Sequence, residues 1–183
     1  MFQRAGRRGR FWQKIIEDKK RKMLCSKEVG KVNIVLVEPE IPANTGNISR
    51  TCAVTGTALH LVLPLGFSVD DRHLKRAGLD YWQHLELHYH NSFEEIPQKY
   101  PGARFFLATT KAQRLYHQVS YEKNDFLVFG KETAGLPAHL LSQYAENCIR
   151  IPMGPSLRSL NLANSAAVVL YEALRQQNFP GLT

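Results

Sequence analysis

The sequence predicts an α/β domain built on a mainly parallel sheet of about six strands. Two observations carry this. From Val32 onward short β-branched runs alternate with segments of helical period, the pattern of strand, crossover and strand. The chain has 183 residues, 44% of them hydrophobic and 22% charged, enough for one domain with a core of its own and far from the composition of disordered or fibrous chains. The expected strands are residues 32–37 (VNIVLV), 58–63 (ALHLVL), 85–88, 104–108, 126–129 and 148–151.

Helices fill the intervals. The first opens near Asn44-Thr45 and stops at Gly56, and a short one around 71–77 stops at Gly78. Another begins at Ser92, where Ser92 and Glu95 have the spacing of a capping box. A short helix follows Pro137. The last runs from about Asn161 to Gln177, with Leu162, Ala166, Val169 and Ala173 on one stripe and Ala163 and Leu170 broadening it. The longest apolar run, AAVVLY at 166–171, is far short of the roughly 20 residues that span a bilayer, so no membrane span is expected. Three cysteines, Cys25, Cys52 and Cys148, are an odd number without CxxC spacing, which fits a reducing, cytoplasmic setting.

The net charge of +8 is unevenly placed. Residues 1–31 hold eleven Lys/Arg against Glu17, Asp18 and Glu28, whereas residues 32–183 hold thirteen basic and thirteen acidic residues. The division is therefore a basic N-terminal arm, 1–31, and a neutral domain, 32–183. Two origins fit the arm: a segment that holds a phosphate backbone, or an upstream extension foreign to the fold, with Met23 as the natural start.

In open parallel sheets, ligands bind beyond the carboxyl ends of the strands. The first such loop, EPEIPANTGN at 38–47, is neither GxGxxG nor a P-loop, which disfavours a dinucleotide site or an NTPase. Three later loops are richer in glycine, proline and polar residues: TTK at 109–111, GKETAGLP at 130–137 and PMGPSLRS at 152–159. Gly130 permits close backbone approach to a ligand, and Gly135 permits a positive φ before Pro137. A tight strand-to-helix turn is the commoner explanation of both glycines, since turn glycines are common. Ser159, Asn161, Asn164 and Ser165 cluster at the start of an apolar helix. A single cap accounts for one of them, and the others need a partner in a loop, a ligand or another subunit.

Other residues carry blander readings. His84, His88 and His90 lack the companions of a zinc site. Asp70-Asp71 caps a helix, with Arg72, Lys75 and Arg76 as an RNA-facing edge. Cys52 and Cys148 belong to apolar settings, and Tyr81 and Trp82 are packing aromatics with base stacking as the alternative.

Taken in order, NTGNISRTCAVTG at 44–56, FGKETAGLP at 129–137 and IRIPMGPSLRSLNLANSAAVVLYEA at 149–173 resemble the three motifs of the SPOUT RNA methyltransferases. VEPEIPANTGNISR, PLGFSVDDRHLKRAGLDYW and ATTK narrow the resemblance to the TrmL-like branch, small 2'-O-methyltransferases of the tRNA wobble nucleotide. It covers about residues 32–181. The arm has no counterpart in minimal members, and Lys131 stands where proline is frequent.

The resemblance implies a SPOUT-type α/β knot, with a C-terminal trefoil knot formed from about Ile149 onward, although true knots are rare. It implies a homodimer joined through the helix after the first strand and the C-terminal helix. The cofactor implied is S-adenosylmethionine, with S-adenosylhomocysteine as product and no metal. Carried over residue by residue, the cofactor-binding positions are Ala108, Gly130, Glu132, Ile151, Met153, Ser159 and Leu160. The catalytic set is Arg50, Asn44, Ser159, Asn161 and Tyr171: Arg50 stabilises the developing alkoxide, an arginine normally staying protonated, Asn44 shapes its loop, and the rest position cofactor and substrate. Outside its NTGN context, Arg50 reads as a solvated helix charge or a dimer salt bridge. The implied substrate is the tRNA anticodon stem-loop; the alternatives are 2'-O-methylation of ribosomal RNA and a non-catalytic RNA-binding protein of the same fold.

Overall fold

A computed structural model describes residues 30–67 and 84–183. The elements in chain order are β1 (Asn33–Val37), α1 (Pro42–Thr55), β2 (Ala58–Val62), β3 (Leu87–His90), α2 (Glu95–Lys99), β4 (Phe105–Ala108), β5 (Phe126–Phe129), α3 (Ala138–Gln143), β6 (Cys148–Ile149) and α4 (Leu162–Gln176), with two single 3-10 turns at Tyr116–Gln118 and Ala145–Asn147. The six strands form one sheet in the order β3-β2-β1-β5-β4-β6. Every pairing is parallel. The expected helix around 71–77, with Asp70, Asp71, Arg72, Lys75, Arg76, Tyr81 and Trp82, lies outside the described residues, as does all of the arm but its last two positions.

Strand alternation divides the core between the two faces of the sheet. Ile34, Leu36, Leu59, Leu61, Leu127 and Phe129 pack with Ile48 and Cys52 of α1 and Ala166, Val169, Leu170 and Ala173 of α4. Val35, Val37, Phe105, Leu107, Phe126 and Val128 face the other way, against Ile96 of α2 and Leu140 of α3. Both faces are covered, which is why these strands are near-continuous apolar runs.

The structure shifts several expected boundaries. β3 begins two residues later than 85–88 because its ladder pairs Leu59 with Leu87 and Val62 with His90; Leu85 is buried but stands ahead of it. β6 stops at Ile149, after which Arg150 forms an isolated bridge to Leu115. α1 starts at Pro42, a residue suited to the first helical turn because it lacks the N–H that would go unpaired there; it ends at Gly56, whose φ of 67° closes the helix in the left-handed region. The Ser92–Glu95 capping box does not form. The Glu95 carboxylate instead accepts the backbone and side-chain N–H groups of Asn91 at 3.1 and 3.0 Å.

The two halves of the sheet diverge at the β1–β5 boundary, since β2 and β3 lie to one side of β1 and β5, β4 and β6 to the other. A crevice at the carboxyl ends of β1, β5, β4 and β6 is the geometric consequence of this switch point.

Candidate active site

That crevice is a cleft of about 520 Å³, within the range of small-molecule sites. Its walls come from the segments after four strands: Ile41 and Asn44 after β1, Ala108–Lys111 after β4, Gly130–Leu136 after β5, and Arg150, Ile151 and Met153 after β6, closed by Arg158–Leu162. All seven expected cofactor-binding residues line it: Ala108, Gly130, Glu132, Ile151, Met153, Ser159 and Leu160. Asn44 and Asn161 line it too. Arg50 and Tyr171 do not. Arg50 is exposed on α1, and Tyr171 is 47% exposed on α4 with its ring 6.5 Å from that of Phe179. Within one chain, the structure thus separates these two from the rest of the expected catalytic set.

A chain of hydrogen bonds ties the cleft together. The Glu132 carboxylate accepts the Glu40 N–H at 2.8 Å, the Ile41 N–H at 3.2 Å and the Asn44 Nδ2 amide at 2.9 Å. A carboxylate at the opening turn of α1 satisfies donors that the helix cannot, and complements the helix dipole. Asn161 Nδ2 then donates to Asn44 Oδ1 at 3.0 Å, while Asn161 Oδ1 accepts the N–H groups of Ala163 and Asn164 and so caps α4. Asn44 is only 6% exposed, so each of its two polar ends is spent on a named partner.

The β1 and β5 loops are laced a second time. Glu40 accepts from the Thr133 hydroxyl at 2.6 Å and its N–H at 3.2 Å, and the first of these bonds holds the Glu40 carboxyl below the usual carboxylate range. Lys131 Nζ meets Glu38 at 2.6 Å. Glu38 itself has φ of 50°, a left-handed conformation that turns the chain sharply over the sheet edge.

Gly130 is required by its own loop. A Cβ there would stand 2.2 Å from the Gly135 carbonyl carbon and 2.3 Å from the Leu136 nitrogen. Lys131 and Gly135 exchange both backbone hydrogen bonds, at 3.2 and 2.8 Å, folding the loop back on its start. The close approach expected at Gly130 is therefore to Gly135, and the φ of 70° at Gly135 makes it possible. Of the helix-start residues, Ser165 lines the cleft and Asn164 is exposed to water.

The donor set suits a group held by backbone atoms between apolar walls. Ile151–Leu160 contains one backbone hydrogen bond of its own, Leu157 N–H to the Gly154 carbonyl at 3.3 Å, which leaves most of its amides and carbonyls available. Leu160, 40% exposed at the cleft, offers apolar surface that a bound group would cover.

Some participants escaped sequence reasoning. Thr109, Lys111, Leu162 and Val169 line the cleft, and Glu40 and Thr133 lace its loops. Thr109, Lys111 and Thr133 were signalled only as members of the polar loops at 109–111 and 130–137, with no role of their own. His88 and His90 meet His60, which lies in an apolar strand: His60 Nδ1 is 3.0 Å from His90 Nε2, and its ring stacks on His88 at 4.4 Å. Among the described residues, no three His, Cys, Asp or Glu side chains are grouped to hold a metal ion, and no helix is long and apolar enough to cross a membrane. Cys52 is buried, which pushes its thiol pKa up, and Cys148 turns its Sγ to the Leu141 and Tyr144 carbonyls.

An all-parallel α/β sheet with a cleft at its switch point, roofed by loops from its last three strands, defines the class. The profile of the SpoU rRNA Methylase family matches residues 31–171, and the chain belongs to that family. It is 51% identical, over 81% of its own length and 97% of the relative's, to the tRNA (cytidine(34)-2'-O)-methyltransferase of Methylovorus glucosotrophus. A solved structure described as giving insights into the 2-OH methylation of C/U34 on tRNA superposes with a TM-score of 0.78 at 42% identity, covering 81% of this chain and 97% of that one. An AdoMet-bound rRNA methyltransferase from Sinorhizobium meliloti superposes at 0.72 with 27% identity, over 81% of this chain and 57% of that one.

Proposed function

We propose that the protein transfers a methyl group from S-adenosylmethionine to the ribose 2'-hydroxyl of the wobble nucleotide, cytidine or uridine, in the tRNA anticodon stem-loop. The observation that carries this is the convergence of every expected cofactor-binding residue on one cleft, in a chain whose relatives over nearly their full length act on cytidine 34. The relative bound to AdoMet supports the cofactor.

When bound, S-adenosylmethionine supplies an electrophilic methyl on its sulfonium. The residues of this chain must hold a ribose oxygen in line at about 3–3.5 Å and stabilise the charge it acquires on losing its proton. Neither demand calls for a metal. Ala108, Ile151, Met153 and Leu160 supply apolar walls, and the backbone at Gly130 and after β6 supplies donors and acceptors. Glu132, Asn44 and Asn161 act one step back, holding the β5 loop and the openings of α1 and α4 in one register. Ser159 lines the same wall and positions the bound groups.

Arg50 provides the positive charge for the developing alkoxide, acting across a homodimer. Supporting this, Arg50 and Tyr171 stand outside the cleft of their own chain, on the two helices that leave apolar side chains uncovered: Val54 of α1 at 51% and Val168 of α4 at 37% exposure. Pairing through α1 and α4 would cover these and bring a second chain's residues toward the cleft.

The reading includes a C-terminal knot within the 32–183 domain, with 1–31 as an appended arm. In its favour, β6 lies at the sheet edge beside β4, while α4, which follows it, packs against α1 and β5. The chain must return across the segment after β4, where Gln176 bonds the Val119 carbonyl and the Tyr121 N–H.

The test is to incubate the purified protein with methyl-labelled S-adenosylmethionine and, in parallel, bulk tRNA or ribosomal RNA, digest each RNA and identify the labelled nucleoside by mass spectrometry. A 2'-O-methylated pyrimidine at the wobble position is expected. Label confined to ribosomal RNA, or cofactor binding without transfer to any RNA, would overturn the reading. Arg50→Ala should keep cofactor affinity and lose turnover.

A further inference from the structure

Apart from Arg50, the described basic side chains differ in whether they meet a carboxylate. Lys31, Arg104, Lys131 and Arg175 each meet a carboxylate, at distances from 2.6 to 3.5 Å. Lys111, Arg114, Arg150 and Arg158 meet none among the described residues. All four line the cleft or a second cavity that adjoins it. Lys99 and Lys123 also lack a carboxylate, but they precede β4 and β5 and so stand at the opposite, amino end of the sheet.

The second cavity, about 580 Å³, shares Thr109, Lys111 and Leu141 with the cleft and continues along Gln113, Arg114 and Ser142. Backbone pairing holds its wall in place. The Arg150 N–H donates to the Arg114 carbonyl at 3.0 Å and the Tyr116 N–H to the Arg150 carbonyl at 2.9 Å. This brings Arg114 and Arg150 to adjacent backbone positions. Glu146, the acidic residue of the second cavity, forms no ion pair with any of the four. The other carboxylate of the two linings, Glu132, is taken up by the N–H groups of Glu40, Ile41 and Asn44, so cations outnumber carboxylates along the joined cavities, and such an excess of one sign attracts a polyanion.

We propose that this surface is the phosphate track for the RNA, in which Lys111, Arg114, Arg150 and Arg158 hold backbone phosphates flanking the target nucleotide. The proposal rests on the reading of the protein as an RNA methyltransferase and names its substrate-holding side chains. A single carboxylate on the cofactor would neutralise one cation. Four cations along two joined cavities match a chain of phosphates instead, and phosphate contacts fix register without reading sequence.

The test uses the full chain with Lys111→Ala and Arg114→Ala combined, both side chains being exposed, beside a control combining Lys99→Ala and Lys123→Ala. Binding of tRNA is measured across a salt series, S-adenosylmethionine binding by calorimetry, and turnover against tRNA concentration. Loss of two phosphate contacts should flatten the slope of log affinity against log salt by about 1.5 and weaken low-salt binding at least about tenfold. KM for tRNA should rise with little change in kcat, and cofactor affinity should hold. The control should keep the wild-type slope. An unchanged slope in the first variant, an equal drop in the control, or weakened cofactor binding with intact RNA binding would each overturn the proposal. If the wild-type protein binds tRNA yet methylates none, the functional reading fails while the salt series still decides the track.

Discussion

Asn161 Nδ2 donates to Asn44 Oδ1 at 3.0 Å, joining the cap of α4 to the buried face of α1 across 117 positions of chain. The same amide group of Asn161 caps its own helix through its oxygen. One side chain therefore sets both where α4 begins and how it sits on α1.

Asn161→Ala removes the cap and leaves a buried Asn44 oxygen unpaired. The expected loss is about 2–3 kcal/mol of stability together with a fall in turnover. Asn161→Asp keeps the capping oxygen but cannot donate to Asn44, so urea melts should rank it between wild type and alanine. An aspartate as stable and active as wild type would show that the bridge to Asn44 contributes nothing.

Glu132 receives three N–H groups from the β1–α1 junction. Glu132→Gln offers one acceptor oxygen and turns an NH₂ toward donors, so at least one bond is lost. Stability should fall by about 1–3 kcal/mol, and cofactor affinity should fall with it as the β5 loop loosens. Thermal melts and calorimetry check both. Weaker cofactor binding at unaltered stability would instead mean direct contact with the cofactor.

Gly130 and Gly154 predict opposite responses to the same substitution. Gly130→Ala drives a methyl into the Gly135–Leu136 backbone and should cost about 1–3 kcal/mol and most of the cofactor affinity. At Gly154 a Cβ meets nothing within 4 Å, so Gly154→Ala should stay within about 0.5 kcal/mol of wild type.

Acid should unfold the protein through the histidine cluster. Burial holds His60 well below its ordinary pKa of 6.5 and brings His90 down to about 4, with His88 and Lys99 adding repulsion and Glu95 opposing it at His90. Glu86 faces His88 at 3.2 Å, and Asn33 faces His60. Between pH 6.5 and about 4 the unfolded chain binds protons that the folded chain refuses. The contribution of these neutral histidines is thus present above pH 6.5 and lost as pH falls, at up to about 1.4 kcal/mol per pH unit for each group. Melting temperatures should decline across that window, and His90→Gln should flatten the decline. A stability profile level from pH 6.5 to 4.5 would remove the cluster from the account.

Much of this protein was legible in its residues. Alternating strand and helix patterns place all six strands in order, because two-sided burial writes continuous apolar runs such as NIVLV and FLVF. The turn chemistry of Gly56, Gly135 and Pro137 is local, and so it is readable. The motifs at 129–137 and 149–161 place loops that line the cleft for the same reason: a strand end and the loop after it are contiguous in sequence. What the sequence could not decide is which distant groups meet. The Glu132–Asn44–Asn161 chain, the His60–His90 contact and the separation of Arg50 and Tyr171 from the cleft depend on parallel crossovers that bring residues tens of positions apart into register. Local propensity carries no record of such pairings, and Gly130, expected to allow close approach to a ligand, needed the folded loop to show that it is Gly135 it approaches.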